Sequence, residues 1–115
     1  MATVIMLIGL PGSGKSTYAS EWVNEDPSSV YVASSDAMRK KLYGSEEIQG
    51  DPNEVFRNLL YDILNLIHED EDDDVYDDII LDATNLNRKH RISFIDRIRN
   101  KNPYTIINAI LFIEP

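Results

Sequence analysis

The chain has 115 residues, room for one domain with one core and too few for two. It has no cysteine, which excludes disulfides and thiolate metal sites and suits a reducing cytoplasm, and no apolar run approaches the roughly 20 residues that cross a bilayer. The net charge of −9 argues against a broad duplex-binding face, but eight of the twenty acids lie in "EDEDDDVYDD" at 69–78, so the acidity is mostly one local run and a small phosphate-reading pocket stays open.

The opening "MATVIMLIGL" lacks the basic start of a signal sequence and leads at once into a glycine-rich loop, so residues 4–8 read as a first strand. A helix follows from about Gly14 to Asn24, burying Ala19, Trp22 and Val23. A second strand covers 30–34, and a short helix from Asp36 to Tyr43 stops at Gly44. The third helix has the fullest signature: Asp51 caps it, Pro52 takes the first position and Glu54 completes a capping box. Val55, Phe56, Leu59, Leu60, Ile63, Leu64 and Ile67 then recur at helical spacing. The acidic run reads as a solvated loop before a third strand at 78–82. A fourth helix from Arg88 to Asn100 turns Ile92, Ile95 and Ile98 inward, and a fourth strand covers 105–113. Near-continuous apolar strands alternating with helices predict an α/β three-layer sandwich, with a parallel sheet buried on both faces. Tyr18, Trp22 and Tyr61 read as core or half-buried residues rather than stacking platforms, and the isolated His68 and His90 suggest no metal site.

The loop "GLPGSGKST" at 9–17 fits G-x-x-x-x-G-K-[ST] between a strand and a helix, the context a P-loop needs. Gly9, Gly12 and Gly14 let the backbone curl so that N–H groups of the loop, which also holds Pro11 and Ser13 as expected nucleotide-binding residues, converge on phosphate oxygens, and the first helical turn adds its own unpaired N–H groups. Lys15 is expected to reach the β- and γ-phosphates of ATP, Ser16 to place its hydroxyl on Mg²⁺, and Thr17 to lie toward the α-phosphate.

Two further clusters end strands. Asp36 and Arg39, three residues apart past the second strand, share a helix face. Asp36 could take a proton from an acceptor hydroxyl or simply cap the helix; Arg39 could grip an anionic acceptor or lie solvated at the surface. Asp82 ends the third strand, where it could hold Mg²⁺ with Ser16 or serve only a turn. Thr84 and Asn85 follow it, and Asn87 is placed to cap the fourth helix. Arg88, Lys89, His90 and Arg91 form the densest basic cluster, either flanking an anionic substrate or opening an exposed amphipathic helix. A switch GTPase is disfavoured, because "NKNP" at 100–103 lacks the aspartate that guanine recognition needs.

With "GLPGSGKST", "SSDAMR" and "LDATNLNRKHR" in this order, the sequence resembles the 5′-polynucleotide kinase family, in the kinase branch of P-loop proteins. The resemblance implies transfer of the ATP γ-phosphate to a nucleic-acid 5′-hydroxyl and a P-loop sheet in the order 2-3-1-4. It also implies Asp36 as general base, Arg39 on the acceptor's phosphate, and Thr84 and Asn85 beside the acceptor. That family continues into a lid bearing a phosphate-clamping arginine. Here no arginine follows Arg99, so residues 1–115 are expected to be a P-loop kinase-like domain cut before its lid, or a reduced protein that transfers slowly. A small-molecule kinase of the same branch, and a nucleotide-binding module without efficient transfer, remain the competing expectations.

Overall fold

The structure, a computed structural model, describes residues 2–10, 12–68, 70, 73–83 and 87–112. Its elements run β1 (Thr3–Ile8), α1 (Lys15–Glu25), β2 (Val30–Ser34), α2 (Ser35–Tyr43), α3 (Pro52–Leu66), β3 (Asp78–Asp82), α4 (Arg88–Lys101) and β4 (Ile106–Leu111). The strands form one parallel sheet in the order β2-β3-β1-β4. This is the α/β P-loop kinase-like architecture that the strand pattern and the resemblance led us to expect.

Strand side chains alternate between faces, and the two cores divide accordingly. Ile5, Leu7, Val30 and Ile80 pack under Ala19, Trp22 and Val23 of α1. Val4, Met6, Ile79 and Leu81 pack against α2, α3 and α4, chiefly through Met38, Leu59, Ile63, Phe94 and Ile98. Ile79, Ile80 and Leu81 are fully buried, each contributing roughly 1.5–3 kcal/mol by burial, so the strand that carries Asp82 is firmly held. Its end is also aligned: Ser34 of β2 and Leu7 of β1 both pair with Asp82. That register brings the ends of β2 and β3 level with the start of the glycine-rich loop. Among the described residues no helix is long and apolar enough to cross a membrane.

Four local expectations need correction. Phe94, not Ile92, is the core residue of α4, with Ile98; Ile92 is exposed. Two residues are about 200° apart around a helix, so Phe94 and Ile92 cannot both face inward. β4 is an edge strand with exposed Ile106 and Leu111 rather than one buried on both faces; an apolar run alone does not separate edge from centre. The described strand ends at Leu111, and Ile113 lies outside the described residues.

The capping box of α3 does not close directly. Asp51 accepts from the Asn53 amide at 2.9 Å, but its own N–H donates to the Tyr43 hydroxyl at 3.1 Å, and that hydroxyl donates to Glu54 at 2.6 Å. Tyr43 thus joins the end of α2 to the start of α3, and the Glu54 bond raises its pKa. The acidic run is not merely solvated either. Asp74 accepts from the backbone N–H groups of Ala2 at 2.9 Å and His68 at 3.0 Å, tying the start of β1 to the end of α3.

Candidate active site

Backbone shape comes first in the glycine-rich loop. Gly12 and Gly14 have φ of 83° and 95°, a left-handed region that side chains disfavour. A Cβ on Gly9 would sit 2.7 Å from the Ser13 Oγ and 3.0 Å from the Phe112 Cβ, so only glycine fits there. Gly14 is the N-cap of α1 and offers no side-chain bond, leaving the first N–H groups of the helix without a side-chain partner. The buried Ser13 Oγ also has no hydrogen-bond partner among the described residues. Unfilled donors at the mouth of a curled loop are what an anionic phosphate chain would satisfy.

Lys15 and Asp82 meet beside this loop. The Lys15 Nζ lies 3.4 Å from one Asp82 oxygen, with the two side chains 4% and 7% exposed. The Ser16 hydroxyl donates to the other Asp82 oxygen at 2.9 Å. A buried ion pair is weak evidence of stability, since desolvation offsets most of the attraction; here both partners of Asp82 belong to the phosphate loop. No group of three or more His, Cys, Asp or Glu side chains forms a metal cage among the described residues. One hydroxyl and one carboxylate nevertheless suit Mg²⁺, which is commonly held by one or two protein oxygens plus substrate phosphates. The donor set therefore fits a Mg²⁺–nucleotide pair. Thr17 is exposed on the first turn of α1.

Asp36 completes the site from the neighbouring strand. The N-cap of α2 is Ser34, whose Oγ accepts from the Ala37 amide at 3.3 Å. Asp36 is thus released from the capping role left open by the sequence. It lines a cleft of about 220 Å³ with Ser16, Ser20, Val23, Val32, Ser34 and Asp82. The Asp36 side chain is 48% exposed while that of Arg39 is only 8% exposed, and the two form an ion pair. The Arg39 Nε donates to the Glu46 carbonyl at 3.0 Å. Arg39 is therefore not a solvated surface residue; it is buried and paired with Asp36.

Ser20, Val23, Val32 and Ser34 were not expected as site residues, Val23 having been read only as a core residue of α1. Ser34 alone had a signal, as the last residue of a strand that ends beside Asp82. Asn87 caps α4 by accepting from the His90 amide at 2.8 Å, and the His90 ring stacks on Phe56 with centroids 4.4 Å apart. Pro11, Thr84 and Asn85 lie outside the described residues.

A family model described as an AAA domain matches residues 4–109, and the chain belongs to that family. Its fold is P-loop kinase-like. The chain is similar to one in the Pnkp1/Rnl/Hen1 complex at 22% identity and TM-score 0.69, covering 99% of this chain and 36% of that one. It is also similar to the APS kinase CysC of Mycobacterium tuberculosis at 20% identity and TM-score 0.64, covering 99% and 80%. A third likeness is to APE1195 at 21% identity and TM-score 0.65, covering 97% and 60%. The chain thus spans about a third of the chain it matches in the Pnkp1 complex. No curated protein matches the sequence.

Proposed function

We propose that the cleft transfers the γ-phosphate of ATP to a hydroxyl, with the 5′-hydroxyl of a polynucleotide as the acceptor. The observation that carries this reading is Asp36, freed from capping, oriented by Arg39 and facing Ser16 and Asp82 across one cleft. Asp36 accepts the proton of the acceptor hydroxyl as the acceptor oxygen attacks the γ-phosphorus; the bond from that phosphorus to the β–γ bridging oxygen breaks, and its electron pair leaves with ADP. Lys15 balances charge at the bridging oxygen, and the loop N–H groups hold the phosphates in place. Ser16 and Asp82 would hold Mg²⁺, which when bound neutralises charge on the β- and γ-oxygens.

The polynucleotide acceptor is favoured by "SSDAMR" and "LDATNLNRKHR" in the sequence and by likeness to a chain of a complex that also appears as the Pnkp1/Rnl/Hen1 RNA repair complex. A second reading, phosphorylation of a small metabolite hydroxyl, is favoured by the size of the cleft and by the APS kinase likeness. Incubation with γ-labelled ATP, Mg²⁺ and a panel of 5′-hydroxyl DNA, 5′-hydroxyl RNA, nucleosides and sugars separates them. Label in the oligonucleotides is the expected result. Label confined to a small molecule selects the second reading, and no label at all leaves a nucleotide-binding module.

A further inference from the structure

Away from the cleft, α3 and α4 lie side by side in parallel. Asn53 and His90 meet at 3.1 Å near their starts, and Lys101 donates to the Leu64 carbonyl near their ends. Between these ties runs a groove lined by Arg57, Leu60, Tyr61, Leu64 and Arg97. Its floor is apolar, with Leu60 buried, but Tyr61 is 60% exposed and both arginines are exposed. Tyr61 is therefore an exposed residue, not the core or half-buried one expected. Among the described residues neither the Arg57 nor the Arg97 side chain forms an ion pair or hydrogen bond.

Two exposed cations without acidic partners are unusual on a chain of net charge −9. The acids of α3 point elsewhere: Glu54 is bound by Tyr43 of α2, and Asp62 acts electrostatically on Tyr31 of β2. On α4, six Lys and Arg residues stand against one acid, Asp96. This helix starts just beyond Asp82, at the cleft end of the sheet, and Arg97 lies about 13 Å along it from Arg88.

We propose that this groove binds the single-stranded chain of the acceptor as it leaves the cleft, with a base stacked on Tyr61 and phosphodiesters paired with Arg57 and Arg97. Cations flanking an exposed aromatic ring are how proteins hold single strands without reading sequence. The proposal rests on the polynucleotide reading above and gives it a surface.

The test uses fluorescently labelled 5′-phosphorylated single strands of about ten nucleotides, which need no transfer to bind. Binding is measured by anisotropy across a salt series, for the wild type, the Arg57→Gln/Arg97→Gln double variant, Tyr61→Ala and Tyr61→Phe. All four proteins should keep the wild-type melting temperature and the same response to MgATP. The double variant should bind at least 10-fold more weakly, with a salt slope shallower by about 1.4, the value for two single-strand phosphates. Tyr61→Ala should lose about 5-fold or more, and Tyr61→Phe should restore it. Wild-type binding that all three variants retain would overturn the groove and leave the polynucleotide reading standing. A wild type that binds no strand would overturn both. Equal displacement of the strand by poly-glutamate, with Tyr61→Ala silent, would show a general anion groove and overturn the nucleic-acid assignment.

Discussion

Two carboxylates at opposite ends of the sheet show how differently one chemical group can be used. Asp74, from the acidic run, accepts from the backbone amides of Ala2 and His68. Neither donor can leave without unravelling a strand start or a helix end, so that carboxylate is a fixed structural tie. Asp82 instead accepts from Ser16 and faces Lys15, two side chains of the phosphate loop beside an open cleft. Those partners can turn to a ligand while the backbone stays in place. Position in a charge-rich sequence does not distinguish the two; the nature of the donors does.

The comparison can be broken by separating catalysis from stability. Asp36→Asn should produce the largest change, a fall of about 10²–10⁴ in the transfer rate with ATP binding retained, because it removes the proton acceptor and preserves shape. Single-turnover transfer of labelled phosphate reads this; a wild-type rate would remove Asp36 from the chemistry. Arg39→Ala should lower kcat by up to about 10²-fold through misplacement of Asp36. An acceptor KM that rises while kcat holds would mean instead that Arg39 binds the acceptor directly.

At the other end of the sheet, Asp74→Ala should cost on the order of 2 kcal/mol, because it removes a charged acceptor from two amides. Thermal unfolding should show a melting temperature lower by about 10 °C, with the MgATP response intact. Replacing residues 70–73 alone by Gly and Ser should change stability little, and a drop as large as that of Asp74→Ala would show that the tie extends along the run.

The smallest effect concerns Asp78, whose pKa is raised above 3.8 by burial first and then by the charges of Asp77 and Asp26. Its charged form is penalised in the folded state, so stability falls as pH rises from about 4 through the raised value. Asp78→Asn should therefore raise the melting temperature slightly at pH 7 and not at pH 3. A gain at both pH values would assign the effect to something other than ionisation.

The alternation of strands and helices was legible because the parallel core leaves long apolar runs broken by loops and caps, whereas the strand order came only with the resemblance to a kinase family. The cap residues Asp51 and Asn87 were legible for the same local reason: they bond within three residues of themselves. What escaped were facts fixed by partners distant in sequence. The Tyr43 relay spans eleven residues to Glu54, and the Asp74 tie spans seventy-two to Ala2. The exposure of β4 depends on what lies beside it, which its composition does not state. At the site, the residue types of the phosphate loop carried their own chemistry. The burial of Arg39 and the capping role of Ser34 could be seen only once α2 was in place.

The central claim is that the strand-end carboxylate and its loop partners bind the phosphates of ATP, whereas the tie at the opposite end only holds the fold. It is tested most directly by the rise in melting temperature that MgATP produces in the wild type, Lys15→Ala and Asp74→Ala. A ligand at about 100 times its Kd stabilises the folded state by roughly 2.7 kcal/mol. The wild type and Asp74→Ala should show the full rise from their different starting temperatures, and Lys15→Ala should show almost none while remaining folded. A full rise in Lys15→Ala would contradict the account.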